Sequence, residues 1–239
     1  MALTSPFSPN YSINRSQMGN SNSADLETQL QTPSDSMRAL DVSWVAQAPT
    51  RLHIRSSIGG TGATVTDTAT NVPVYSFKDK FLSSRTFLKG PEDQTLVTMK
   101  TSTFSCKFHI FLGDQTEHEQ FTIRDASGVF HTMLLTVEYY DSKTGRPCRV
   151  VARGSPSKRV VVCYLETGSP RLSQLQNSED FQKNFGCYRP IGRFTRDKKF
   201  LGRDEYDVEA SAGVDVTLLL LIWHARQILL VIERSSSGG

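Results

Sequence analysis

Cysteine is scarce. Four cysteines occur in 239 residues, at Cys106, Cys148, Cys163 and Cys187, with no Cys-x-x-Cys pair among them. That spacing excludes a zinc finger or ribbon. Net charge is small too: 27 Lys and Arg against 24 Asp and Glu leave +3 at pH 7, too little to require a nucleic-acid partner. Aromatic residues do not interleave with the basic ones as base-stacking platforms would. No apolar leader opens the chain, and Met1-Ala2 is not a myristoylation start. The expected compartment is therefore reducing and cytoplasmic, where the glycosylation-like patterns at Asn10 and Asn14 have no use. Catalytic signatures are missing as well. Gly59-Gly60-Thr61-Gly62 is followed by neither a Lys-Ser/Thr pair nor a helix, so it reads as a turn and not as a phosphate loop. The five histidines (His53, His109, His118, His131, His224) are scattered, and Glu117-His118-Glu119 is not a His-Glu-x-x-His zinc site. Cys187 has no neighbouring histidine to activate it. The expectation is a protein that is not an enzyme and has no metal or cofactor.

What the sequence does contain is one long apolar run near its end. Tyr206 and Val208 alternate with Asp207 and Glu209, as on a half-buried strand. Gly213-Val214-Asp215 then makes a corner, and from Asp215 to Ile232 the chain is apolar on every side. Asp215 stands where a helix favours a carboxylate, among free N–H groups at the positive end of the dipole. A helix apolar all round is buried all round, in lipid or in protein. Val214 to Ile232 is close to the roughly 20 residues that span a bilayer. However, His224, Arg226 and Gln227 lie past its middle, and a central arginine costs roughly 2.5–3.5 kcal/mol on insertion. A helix enclosed by sheet fits better, and the upstream sequence supplies the strands.

Residues 1–40 are rich in Ser, Asn, Gln and Thr and read as a disordered tail. Ser5-Pro6, Ser8-Pro9 and Thr32-Pro33 in it could be phosphorylated, although a solvated tail is the better account of them. Leu40 to Val45 is expected to dock on the domain through Trp44. From Thr50 onward, short alternating strands are cut by turns, such as Gly90-Pro-Glu-Asp93, Asp125-Ala-Ser-Gly128 and Asp141-Ser-Lys-Thr-Gly145. A hairpin centred on Gly154–Ser157 would set Cys148 directly opposite Cys163, as two reduced thiols or, less in keeping with a reducing compartment, a disulfide. One domain spans residues 50–233, with a polar tail at 234–239.

The strand Tyr206-x-Val208, the Gly213-Val214-Asp215 corner and the Leu-rich helix together resemble the C-terminal end of the LURP-one-related family. The Thr64-Val-Thr-Asp67 strand, its polar turn and the aromatic strand to Phe77 are similar to that family's opening. The Gly154-Ser155 loop before a basic β-branched strand continues the likeness. The resemblance implies a mainly-β, tubby C-terminal-like fold: a closed antiparallel β-barrel of about twelve strands around one buried hydrophobic helix. Residues 166–190 depart from the family as an inserted loop where a short turn is usual, with Asn177-Ser-Glu-Asp180 as a helix start before Phe181 and Phe185.

The surface signal is basic. From Ser142 to Leu165 the chain carries Lys143, Arg146, Arg149, Arg153, Lys158 and Arg159 and no acidic residue. Arg153, Lys158 and Arg159 gather at the hairpin tip, where each cation near an anionic lipid surface adds about 1 kcal/mol. Tubby domains bind phosphoinositides and the related scramblases act at membranes, so the resemblance implies a peripheral adaptor on anionic phospholipid. Two further readings stand beside it: a protein-interaction or stress-response scaffold with an unidentified protein partner on the inserted loop, and a scramblase-like protein whose helix enters the bilayer.

Overall fold

The computed structural model describes residues 28–40, 45–57, 62–80, 83–102, 106–127, 133–154, 159–167, 181, 183–196 and 204–236. Its strands are β1 (Thr50–Ser56), β2 (Gly62–Asp67), β3 (Pro73–Asp79), β4 (Arg85–Lys89), β5 (Thr95–Ser102) and β6 (Lys107–Leu112). They continue as β7 (Glu119–Asp125), β8 (Met133–Tyr140), β9 (Pro147–Gly154), β10 (Val160–Glu166), β11 (Tyr188–Arg196) and β12 (Glu205–Ala210), before the helix α1 (Val216–Ser236). Each strand pairs antiparallel with its neighbour in sequence, and β1 pairs with β12, so twelve strands close into a barrel. Closure removes the free sheet edges on which other chains could pair.

The closing seam shows why the register holds. Inside, Leu52 and Ile54 of β1 face Val208 and Tyr206 of β12. Outside, Arg51, His53 and Arg55 stand opposite Glu209, Asp207 and Glu205, with N–O separations of 2.8, 3.0 and 2.9 Å. A slip of one residue would turn the apolar set outward and the charged set into the core.

The helix is that core. Residues Val216 to Arg226 are all buried, as are Leu229 and Leu230. Fifteen residues at 1.5 Å each give about 22 Å, comparable to a seven-residue strand at about 3.4 Å per residue. The helix therefore runs the height of the barrel, with side chains all round to fill it. Gly192 on β11 lets the wall approach closely: a Cβ there would lie 2.7 Å from Leu219 Cδ1. The three polar residues that argued against a lipid span are accommodated inside protein. His224 stacks on Phe77 with centroids 4.4 Å apart. Arg226 lies over Tyr206, and Gln227, oriented with its oxygen towards the helix, accepts from Arg226 Nη1 at 3.1 Å and Trp223 Nε1 at 3.2 Å.

The corner before the helix is held by Asp215 and by a strap made of residues 28–40. Asp215 is fully buried. Its Oδ1 accepts from the N–H groups of Thr217 (3.0 Å) and Leu218 (3.3 Å) and from Thr217 Oγ1 (2.5 Å). Its Oδ2 accepts the Ala39 N–H of the strap at 3.0 Å. Burial pushes this carboxyl above its ordinary range, while the donors from Thr217, Ala39 and Leu218 pull the other way. Gly213 has φ +80°, which favours glycine, and its carbonyl accepts the Met37 N–H at 2.7 Å.

Two sequence expectations change here. The tail assigned to residues 1–40 includes 28–40, which are docked: main-chain bonds, with Met37 and Leu40 buried, hold a segment whose composition is polar. Residues 1–27 and Trp44 lie outside the described residues. Cys148 is not opposite Cys163. The link from β9 to β10 is longer than a tight turn, so Gly154 pairs with Val161 and Cys163 with Ala152; both thiols are free.

Deleting every residue after Gly213 removes the core and should abolish cooperative unfolding, which calorimetry on the truncated chain would show; a retained sharp transition would mean the helix is an appendage. Asp215→Ala should cost about 3 kcal/mol, combining a lost cap with a buried Ala39 N–H left without an acceptor. Chemical denaturation measures it.

Candidate functional site

The barrel has two unlike ends. At the strap end lie the start of α1, the strap and the β8–β9 turn; at the other, the exit end, the last turns of α1 emerge. The six basic residues singled out in the sequence divide between them. Lys143 and Arg146 are exposed in the β8–β9 turn at the strap end, and Arg146 reaches Asp35 at 3.7 Å. Arg153 is half-buried towards the exit end, its guanidinium 5.7 Å from the centre of the Phe181 ring. Arg159 is exposed at the exit end, and Lys158 lies outside the described residues. Arg149 is only 2% exposed. It bridges Glu138 at 2.9 Å and Glu166 at 2.8 Å; burial disfavours its charge, but these carboxylates outweigh that and raise its pKa. Arg149 thus holds β8, β9 and β10 together and is not available to a ligand.

Arg153 leads to the place of Phe181 in the structure. The outer face of β8, β9 and β10 is apolar, with Leu134, Val151, Val162 and Tyr164 buried there. Phe181 of the loop covers it, fully buried and 5.4 Å from Tyr164 and 4.7 Å from Tyr188. The helix start expected at Asn177–Asp180 lies outside the described residues.

The exit end carries features that the sequence reading did not single out. Val231 is 59% exposed and Ile232 42%, an apolar tip where α1 leaves the barrel. Around it Lys80, Lys107, Arg159 and Arg234 are exposed and have no carboxylate partner among the described residues. The acids nearby are engaged: Asp204 with Arg196 at 2.6 Å, Glu205 with Arg55, and Asp79 with Thr86 Oγ1 at 2.6 Å. A cavity of about 380 Å³ beside the tip is lined by Asp79, Asp204, His224, Gln227, Val231 and Ile232.

In the wall of that cavity His224 and Asp79 meet Thr86, a cluster that scattered sequence positions did not reveal. The arrangement is not a proton relay. His224 Nε2 meets both Thr86 Oγ1 (3.3 Å) and Asp79 Oδ1 (3.6 Å), while Nδ1 has no partner among the described residues. A relay needs the two partners on opposite nitrogens. Among the described residues no three His, Cys, Asp or Glu side chains are grouped to hold a metal ion.

At the strap end Asp141 does for the turn what Asp215 does for the helix. Its Oδ1 accepts from Lys143 N, Thr144 N and Thr144 Oγ1, and its Oδ2 from Arg38 N of the strap at 2.8 Å. Burial works against the charged carboxylate, but the donors from Arg38, Thr144 and Lys143 prevail and hold its pKa below the ordinary value.

Twelve antiparallel strands closed around a single C-terminal helix define a mainly-β, helix-filled barrel class of fold. The LURP-one-related family model matches residues 50–225. The chain belongs to the LURP-one-related family. Its fold is shared with an X-ray structure of an Arabidopsis thaliana protein, at 15% sequence identity and a TM-score of 0.52, covering 78% of this chain and 94% of that one. No curated protein matches the chain in sequence.

Because the Asp141 pKa is depressed in the folded state, its contribution is complete above the unfolded value of about 3.9 and lost as pH falls through the folded one. Hydrogen exchange of the Arg38 and Ala39 amides should accelerate, relative to the intrinsic rate, as pH drops below about 4. Asp141→Asn should expose the Arg38 amide at neutral pH by more than about tenfold, for a lost charged bond of about 1.5–3 kcal/mol. Unchanged protection in that variant would show that the strap is held elsewhere.

Proposed function

We propose that this LURP-one-related protein is a non-catalytic, cytoplasmic adaptor that docks peripherally on anionic phospholipid through the exit end of its barrel. The observation that carries this reading is the exposed Val231–Ile232 tip ringed by cations that have no carboxylate partner among the described residues. An apolar tip gains by entering the headgroup region, and each cation near an anionic surface contributes about 1 kcal/mol. Of the basic hairpin, Arg159 serves directly. Arg153 adds its charge from its place over Phe181, and Lys143 and Arg146 face away at the strap end. Insertion of the whole helix, as in a scramblase-like protein, is disfavoured because it would empty the barrel of its core. The helix is long and apolar enough to cross a bilayer, but most of it is already buried in protein.

The experiment is co-sedimentation of the full chain with neutral, phosphatidylserine and phosphoinositide vesicles at low and high salt. The expected result is salt-sensitive binding to the anionic vesicles only. Lys107→Glu with Arg159→Glu should weaken it more than about tenfold, because the two cations supply about 2 kcal/mol. Val231→Asp should weaken binding at every salt concentration. Bound protein that resists high salt and needs detergent would favour an inserted helix. Folded protein that stays in the supernatant with anionic vesicles at low salt would overturn the lipid reading and favour a scaffold for protein partners.

A further inference from the structure

The strap is fixed at two points and arches between them. The Gln31 N–H donates to Pro190 O and the Met37 N–H to Gly213 O, each at 2.7 Å. Residues 32–36 between these anchors make no main-chain hydrogen bond to the barrel among the described residues. Thr32, Ser34 and Asp35 are exposed. Under the arch lies a groove of about 540 Å³, lined among others by Ser34, Ser36, Thr144, Arg146 and Arg189.

The charges in this groove are unevenly matched. Its acids Asp141 and Glu166 already have partners, four donors on the first and Arg149 on the second. Arg189 is exposed and has no partner among the described residues. Arg146 has only Asp35, at 3.7 Å with both side chains more than 70% exposed, a pair that contributes little in water. Two guanidinium groups with unused donors suit a tetrahedral dianion. The only group the arch itself could bring there is a phosphorylated hydroxyl. Ser34 is exposed, free of main-chain anchoring, and part of the groove wall; Ser36 is half-buried and Thr32 is not on the groove.

We propose that the strap-end groove is a phosphate-monoester site and that Ser34 is the residue that carries the phosphate. A protein kinase would form the Ser34 Oγ–P bond as the bond from the γ-phosphorus of a nucleoside triphosphate to its bridging oxygen breaks. The hydroxyl proton leaves to solvent and a nucleoside diphosphate departs. The added charge of about −2 displaces Asp35 from Arg146 and draws Arg189 in. The arch then gains an anchor at its centre, and the strap closes more firmly over the start of the helix.

The test installs phosphoserine at position 34 of the full chain. At low salt its Tm should rise by about 2–4 °C for a gain near 1 kcal/mol, and the rise should shrink at high salt. By phosphorus NMR the phosphate's second pKa should fall from about 6 by about one pH unit. Both effects should vanish in Arg146→Ala with Arg189→Ala. An ordinary titration with no rise in Tm overturns the proposal, as does a rise that survives in the double variant. An equal rise on adding millimolar inorganic phosphate to the unmodified protein marks a site for free anions and overturns the assignment to Ser34.

Discussion

One buried carboxylate joins three parts of the molecule that are far apart in sequence. Asp215 caps the helix with one oxygen and holds Ala39 of the strap with the other. Its neighbours Gly213 and Val214 bond to Met37 and Ala46. A charged group so buried is tolerated only where its acceptors are used. Here both oxygens accept, so the cost of burying it is offset by closing one end of the barrel. If the corner moved, the helix would lose its starting point, and with it the apolar column against which every strand packs.

From that constraint the two ends acquire different characters. The strap end is sealed by hydrogen bonds that converge on Asp141 and Asp215, and its polar groups largely satisfy one another. At the exit end the helix outruns the barrel, exposing Val231 and Ile232, and the cations nearby have no carboxylate partner among the described residues. The helix is the element common to both ends.

Much of the fold was legible in the sequence because the fold is local in chain order. Period-two alternation located the strands, and every strand pairs with its neighbour in sequence. Tyr206, Val208 and Asp215 took the positions their pattern implied. The candidate site was harder to read, since a run of basic residues is one-dimensional whereas a barrel sends successive turns to opposite ends. Lys143 and Arg159 are close in sequence and sit at different ends, while Lys80, Lys107 and Arg234 share an end across most of the chain. Arg149 looked like its neighbours until its register placed it between Glu138 and Glu166. The docking of residues 28–40 left almost no sequence signal, because main-chain groups do most of the holding. The Cys148–Cys163 pairing failed for a related reason: turn length, which sets hairpin register, is not evident from composition.

The seam between β1 and β12 bears on how the protein is made. Thr50 must find Ala210, so the first strand leaves the ribosome roughly 10–30 s before its partner, at synthesis rates of about 5–20 residues per second. The helix that fills the interior emerges later still. Until then the nascent chain is an open, growing meander with two bare edges and an uncovered apolar face, the kind of surface on which chains aggregate. Ring closure and core insertion therefore wait for the last strand and the helix. The outward ladder of Arg51, His53 and Arg55, charged and on the waiting edge, keeps that strand soluble and selects the acidic face of β12 when it arrives.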